Sequence, residues 1–168
     1  MTSILQAGRY FGFHTKLSWN GDKGSLQTAD GKASLPVQRN RNRKFSVKVY
    51  VHGGECYIER GNVKRHSADI DTYKVLLPRS GNPSSTIIGK PIISEPGSCN
   101  SNTYSVAIPE GGFGSIENAQ NFVKYCKSKF FRVLVATKSY TQMLSPSAYE
   151  FVPLQDFSKE WTEIGRAH

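Results

Sequence analysis

Hydrophobic and polar residues alternate in several short segments of this 168-residue chain. In FSVKVYV (45–51) every second residue is apolar, which predicts a half-buried strand. Gly53 and Gly54 follow, and they predict a turn into ECYIER (55–60), the second strand of a hairpin. Further strand-like segments are YKVLLPR (73–79), IIGKPIIS (87–94), TYSVAI (103–108) and YEFVPL (149–154). Polar loops separate them, among them EPGSCNSN (95–102).

A period of three to four residues marks one segment after Gly114. Ser115 is a suitable N-cap, and Glu117 lies in the first turn, where the helix dipole favours negative charge. Apolar residues then recur at helical spacing: Ile116, Ala119, Phe122, Val123, Cys126, Phe130, Val133 and Leu134. The pattern predicts one main amphipathic helix over about 115–135. The fold class is therefore α+β, with this helix packed on a twisted, mostly antiparallel or mixed sheet.

Regular patterns are scarce before residue 45. The pairs Asn20-Gly21 and Asp30-Gly31 are strong turn signals. We expect a loop-rich, basic N-terminal part over 1–44, within a single domain that spans 1–168.

The chain is strongly basic, with 22 Lys and Arg against 13 Asp and Glu and a formal net charge of +9. A surface of this charge attracts polyanions in a salt-dependent way. A membrane surface ranks lower, because neither end carries a basic amphipathic helix and the longest apolar stretch, 130–136, is too short to span a bilayer. The start of the chain lacks the pattern of a signal peptide. Cys56, Cys99 and Cys126 match no zinc or disulfide pattern, so we expect reduced thiols and a cytoplasmic location.

No arrangement typical of a catalytic centre is evident. His14, His52, His66 and His168 have no neighbouring nucleophile motif. A metal-dependent nuclease needs convergent carboxylates with a lysine, and the candidates are Asp30, Lys32, Asp69 and Asp71. That alternative stays open, as does a basic protein-interaction domain with an acidic partner.

The run QRNRNRK (38–44) carries the strongest local charge. Its basic residues are Arg39, Arg41, Arg43 and Lys44, interleaved with asparagines. Arginine and asparagine read guanine and adenine edges, and lysine and arginine neutralise phosphates. Lys90 adds the same charge elsewhere in the chain. The alternative interpretation of the run is a solvated charged loop.

Several stretches in order carry a family resemblance: AGRYFGFHTK (7–16), VKVYVHGGECYIERGNV (47–63) with DTYKVLLPRSG (71–81), and NAQNFVKYCKSKFFRVLVATKSYTQ (118–142) with YEFVPLQDFSKEWT (149–162). Together they resemble the C-terminal target-recognition region of restriction–modification adenine methyltransferases and of fused restriction–methylation enzymes. The recognition domains of type I specificity subunits are more distantly similar. The resemblance covers roughly residues 7–162.

The resemblance implies a module that reads double-stranded DNA for a methyltransferase or endonuclease domain of the same parent enzyme. S-adenosylmethionine, and magnesium if the parent cuts DNA, would be bound by that other domain. The methyltransferase tetrad Asn-Pro-Pro-aromatic is missing here, since Asn82-Pro83 is followed by Ser84. We therefore expect no catalytic residue, no metal and no cofactor on this chain. Because the catalytic half is missing, we expect a domain of a larger enzyme. The family usually continues past the Trp-Thr pair at 161–162, whereas this sequence stops at EIGRAH, so either it is truncated or its natural end differs.

The resemblance also implies which loops face DNA. They are the loop after KVLLPRSG, the loop EPGSCNSNT (95–103) and the segment after the helix. The candidate contact residues there are Arg79, Ser80, Asn82, Asn100, Asn102, Thr103, Tyr140, Thr141 and Gln142. The alternative for each is ordinary turn formation, for which serine and asparagine are suited.

Overall fold

The computed structural model describes residues 1–80, 88–139 and 141–160. These residues form a mixed α+β fold, as predicted, with two sheets and two helices. The strands are β1 Leu5–Gln6, β2 Phe13–Asn20, β3 Lys23–Thr28, β4 Ser34–Gln38, β5 Val47–Val51, β6 Gly54–Ile58, β7 Lys74–Pro78, β8 Ile92–Ser94, β9 Ser98–Asn100 and β10 Tyr104–Ala107. The helices are α1 Ile116–Lys127 and α2 Lys129–Lys138.

The larger sheet has the strand order β2-β3-β4-β6-β5-β9. Its pairs are antiparallel except for β5 with β9, which is parallel. The predicted hairpin is confirmed as β5 and β6, with Val49 opposite Cys56. Both residues are fully buried, in agreement with the alternation of the sequence.

The smaller sheet has the order β1-β10-β7-β8, and α1 contacts β7 and β8. Strand β7 is buried on both faces. Val75 and Leu77 pack in the core beneath the helices, whereas Leu76 packs in the core of the larger sheet. Since successive side chains of a strand point to opposite faces, β7 connects the two cores.

The prediction of a loop-rich part over 1–44 is wrong. Strands β2, β3 and β4 occupy much of it as an antiparallel meander. The predicted turns are present, but they connect paired strands. Gly21 and Gly31 have φ angles of 63° and 72°, which glycine adopts at little cost, and each lies between two of these strands.

The predicted amphipathic helix over about 115–135 is present as two helices, because the helix breaks at Ser128. This residue has an extended backbone with ψ of 149°, and its hydroxyl accepts a hydrogen bond from the Phe131 amide to cap α2. The break shifts the phase of the apolar stripe. Phe130 and Val133 are 41% and 59% exposed, whereas Phe131 is buried.

Three further segments differ from their predictions. YEFVPL (149–154) is not a strand, since a 3-10 turn at Pro146–Tyr149 leads into irregular backbone. The loop predicted at 95–102 contains β9, which is buried against β5. Of IIGKPIIS, Ile92–Ser94 form a strand, and Ile87 lies outside the described residues. Within the described ranges, no helix combines the length and apolar character that crossing a membrane would require.

Candidate functional site

A cleft of about 680 Å³ opens between strand β2 and the loops at the end of β7 and the start of β10. Its lining residues are Thr15, Lys16, Leu17 and Trp19 of β2, Arg79 and Ser80 after β7, Asn102 and Thr103 before β10, and His52 and Met143. Four residues predicted from two separate loops, Arg79, Ser80, Asn102 and Thr103, thus line the same cleft. The two loops that the resemblance places on the DNA side therefore meet at one cleft, and their contact with DNA stays a prediction.

Arg79 is held firmly in the cleft by main-chain contacts. Its amide donates to the Thr103 carbonyl at 3.1 Å, and its Nη1 donates to the Asn102 carbonyl at 3.2 Å. Its Nε is buried and has no hydrogen-bond acceptor, and within the described part of the chain its guanidinium joins no ion pair. A buried donor without an acceptor carries a desolvation cost.

Gly8 makes room for the Arg79 side chain. A Cβ atom at Gly8 would lie 2.6 Å from Arg79 Cδ and 2.7 Å from the Asn102 carbonyl oxygen. A larger residue would therefore push against both sides of the loop contact. This is a requirement for space, and the sequence contains no local signal for it.

Asn102 joins the two walls of the cleft. Its backbone amide donates to the Phe13 carbonyl at the start of β2, at 3.0 Å. Its side-chain Oδ1 is buried and has no hydrogen-bond donor. A side-chain amide offers both a donor and an acceptor, the combination that reads adenine.

The lining of the cleft is cationic. It includes Lys16, Arg79 and the titratable His52, and no Asp or Glu is among the described lining residues. Basic side chains without neighbouring acids raise the local potential. The cleft is therefore suited to an anionic ligand.

Arg39 is fixed beside the cleft by an aromatic contact. Its guanidinium carbon lies 4.2 Å from the Trp19 ring centroid, and its Nε donates to the Gly21 carbonyl at 3.0 Å. Gly24 leaves space for the Trp19 ring, since a Cβ there would lie 2.5 Å from a ring carbon. A cation–π contact of this kind contributes about 0.5–1 kcal/mol at an exposed site.

The other basic residues of 38–44 do not form one patch with Arg39. Lys44 pairs with Glu59 at 3.3 Å, and Arg43 is exposed. Arg41 lines a separate polar groove of about 190 Å³ that also contains Lys48. The run instead forms a turn stabilised by its own asparagine, as the alternative interpretation expects, because Asn42 Oδ1 accepts from the amides of Lys44 and Phe45.

The remaining predicted contact residues have different outcomes. Asn100 is fully buried in β9 and donates to the carbonyls of Ser101 and Tyr104, so its side chain is not accessible and its predicted contact is withdrawn. Thr141 and Gln142 are exposed next to Met143, which forms a β-bridge with Ser80. Lys90 lines another pocket. Asn82 and Tyr140 lie outside the described residues.

Sequence reasoning missed Lys16, Trp19 and His52. The signal for the first two was the alternation in FHTKLSWN, where Phe13, Leu17 and Trp19 are more buried than the lysine between them. The turn residues just after this segment favour a loop, so the alternation alone does not predict the strand. His52 carried no signal, because it lies in a hairpin turn distant in sequence from the rest of the cleft.

The acids proposed for a nuclease each accept hydrogen bonds from other residues. Asp71 forms a double hydrogen bond with Arg60, and Asp69 accepts from the Tyr10 hydroxyl at 2.6 Å. Asp30 accepts hydrogen bonds within its own turn, from Thr28 and Lys32. Among the described residues, no group of three or more His, Cys, Asp or Glu side chains is positioned to hold a metal ion.

Comparisons of the chain with protein-family models, with curated proteins and with solved structures found no match. The resemblance to target-recognition regions therefore rests on the sequence stretches quoted above.

Proposed function

We propose that this chain is a sequence-specific duplex-DNA-binding domain, the target-recognition part of a restriction–modification enzyme, and that it reads DNA at the cleft. The observation that supports the proposal most is Arg79, a guanidinium without an ion-pair partner among the described residues, held in a cleft lined by cations and by no described acid. Arginine is the residue that most often reads guanine through two hydrogen bonds.

The residues in and beside the cleft would contact different parts of the DNA. Arg79 and Asn102 are of the types that read guanine and adenine, whereas Lys16 and Arg39 would neutralise backbone phosphates. Strand β2 is the edge strand of the larger sheet, and it forms one wall of the cleft and carries Lys16. The chain would act in the cytoplasm and direct a methyltransferase or endonuclease domain of its parent, which would supply S-adenosylmethionine or magnesium chemistry.

The test is to select duplexes from a random pool with the full chain and to measure binding by fluorescence anisotropy. We expect enrichment of one short site and an affinity that falls steeply with salt. Arg79→Gln should weaken binding to the selected site by about 5- to 150-fold, which corresponds to about 1–3 kcal/mol, and relax its specificity.

Arg60→Gln is the matched control, because it makes the same change of charge at an exposed residue that pairs with Asp71 outside the cleft. It should lower affinity for all sequences slightly and equally. The proposal fails if wild-type protein does not bind duplex DNA at low salt. The assignment of the cleft fails if Arg79→Gln and Arg60→Gln behave alike while thermal unfolding shows that both variants are folded.

A further inference from the structure

A second cationic pocket lies on the other side of the β7 end from the cleft. It has a volume of about 230 Å³ and is lined by Ile88, Gly89, Lys90, Pro91, Cys126, Lys127 and Arg132. The floor is apolar, because Ile88, Pro91 and Cys126 are buried. Three basic side chains, from the segment before β8, the end of α1 and the first turns of α2, surround this floor.

The charges of this pocket are not balanced within the described residues. Lys90, Lys127 and Arg132 appear in none of the described ion pairs, whereas neighbouring Lys124 pairs with Glu160 at 2.7 Å. No acid is among the described lining residues, and burial raises the pKa of the Cys126 thiol well above its ordinary value, so the floor stays neutral. The charged side chains among the described lining residues are thus all positive.

The start of α2 strengthens this imbalance. Helix N-termini favour acidic residues, yet the first turn of α2 contains none and begins with Lys129. Lys127 precedes the turn and Arg132 follows it, so cations surround the positive end of the helix dipole. An anion in the pocket would relieve this repulsion.

The pocket is close to the cleft through the backbone. Strands β7 and β8 are antiparallel with Leu76 opposite Ile92, and continuing this register puts Gly89 opposite Arg79. Consistently, a Cβ on Gly89 would lie 2.9 Å from Pro78 Cγ. A chain of phosphates that enters the cleft at Arg79 would therefore pass near the pocket.

We infer that Lys90, Lys127 and Arg132 form a phosphate-binding site that holds a backbone phosphate of the DNA bound in the cleft. This inference rests on the proposed function for the source of the phosphate. The site extends the DNA footprint onto α1 and α2, and it contributes affinity without sequence preference, because phosphates carry no base information.

The test compares Lys127→Gln/Arg132→Gln with the control Lys124→Gln/Lys159→Gln, which removes the same charge from exposed lysines paired with Glu160 and Asp156. Anisotropy titrations across salt give the slope of log affinity against log salt. Loss of one phosphate contact reduces this slope by about 0.9, so the advantage of wild type over the variant should shrink about threefold as salt rises from about 50 to about 200 mM. The control should keep the wild-type slope, and the preferred sequence should be the same in all three proteins.

A second arm uses inorganic pyrophosphate and follows the backbone amide resonances of 128–131. Saturable shifts in wild type that disappear in Lys127→Gln/Arg132→Gln, together with an unchanged DNA slope, would show an anion site that holds no DNA phosphate and would overturn the inference. An unchanged slope together with no saturable shifts overturns the inference. If wild type binds no DNA, the proposed function fails, and the pyrophosphate titration then tests only whether the pocket binds a phosphate.

Discussion

The buried charge of Lys74 should destabilise the folded state by an amount that depends on pH, and replacing Lys74 should remove this destabilisation. Its side chain is fully buried, and its ammonium donates to the carbonyls of Thr72 at 3.2 Å and Ile70 at 3.5 Å. The Phe11 ring lies 5.7 Å away, and no described carboxylate is within ion-pair distance. Burial therefore lowers the pKa of Lys74 from 10.5 to about 8.

The magnitude follows from the two pKa values. The unfolded chain titrates near 10.5 and the folded protein near 8. At about 1.4 kcal/mol for each pH unit between them, carrying the buried charge costs about 3 kcal/mol. Below the folded pKa both states hold the proton, so the cost is fully present. Between the two values only the unfolded state holds it, so the free energy of unfolding rises with pH.

The assay is urea unfolding followed by circular dichroism at about pH 7.5 and about pH 10, for wild type and Lys74→Met. Subtracting the two proteins at each pH cancels the titration of tyrosines and cysteines. We expect the difference to change by about 2 kcal/mol between the two pH values, with the variant relatively better at the lower pH. Lys124→Met, at an exposed lysine, should show little change. An equal difference at both pH values for Lys74→Met would refute the argument that a desolvated charge is held there.

Two further predictions concern packing and capping. Gly8→Ala should lower the free energy of unfolding by about 1–3 kcal/mol in urea and weaken DNA binding, because its Cβ would overlap the Arg79 side chain. The control Gly54→Ala should do neither, because nothing lies within 4 Å of a Cβ at that position. Equal effects of the two substitutions would contradict the crowding argument. Ser128→Ala should cost about 1 kcal/mol in the same assay because the Phe131 amide loses its cap, and an unchanged midpoint would show that the break does not depend on the hydroxyl.

The elements that the sequence predicts well are those set by near neighbours. The alternation in 45–51 and the glycines after it specify β5, β6 and their turn, because strand period and turn conformation are local properties. The same holds for the start of α1, where Ser115 accepts from the Asn118 amide as its cap position predicts. The basic composition likewise belongs to the sequence and requires no fold.

The break at Ser128 was hidden because the apolar spacing continues through it. A serine fits the interior of a helix at small cost, so only packing decides that its hydroxyl caps a new helix here. The buried β9 was hidden for a similar reason: Ser98, Cys99 and Asn100 have the composition of a loop, and their parallel pairing with β5 is a long-range contact.

The cleft belongs to the tertiary structure. Lys16, Arg79 and Asn102 are far apart along the chain but line the same cleft. Two backbone hydrogen bonds bring them together: the Asn102 amide donates to the Phe13 carbonyl, and the Arg79 amide donates to the Thr103 carbonyl. Sequence by itself determined the β5–β6 hairpin, strands β7 and β10, the start of the first helix and the positive charge, since these follow from local conformational preference and composition. Which charges share a cleft, and which asparagine is buried beyond reach, was decided by strand pairing between distant segments, whose register no local pattern specifies.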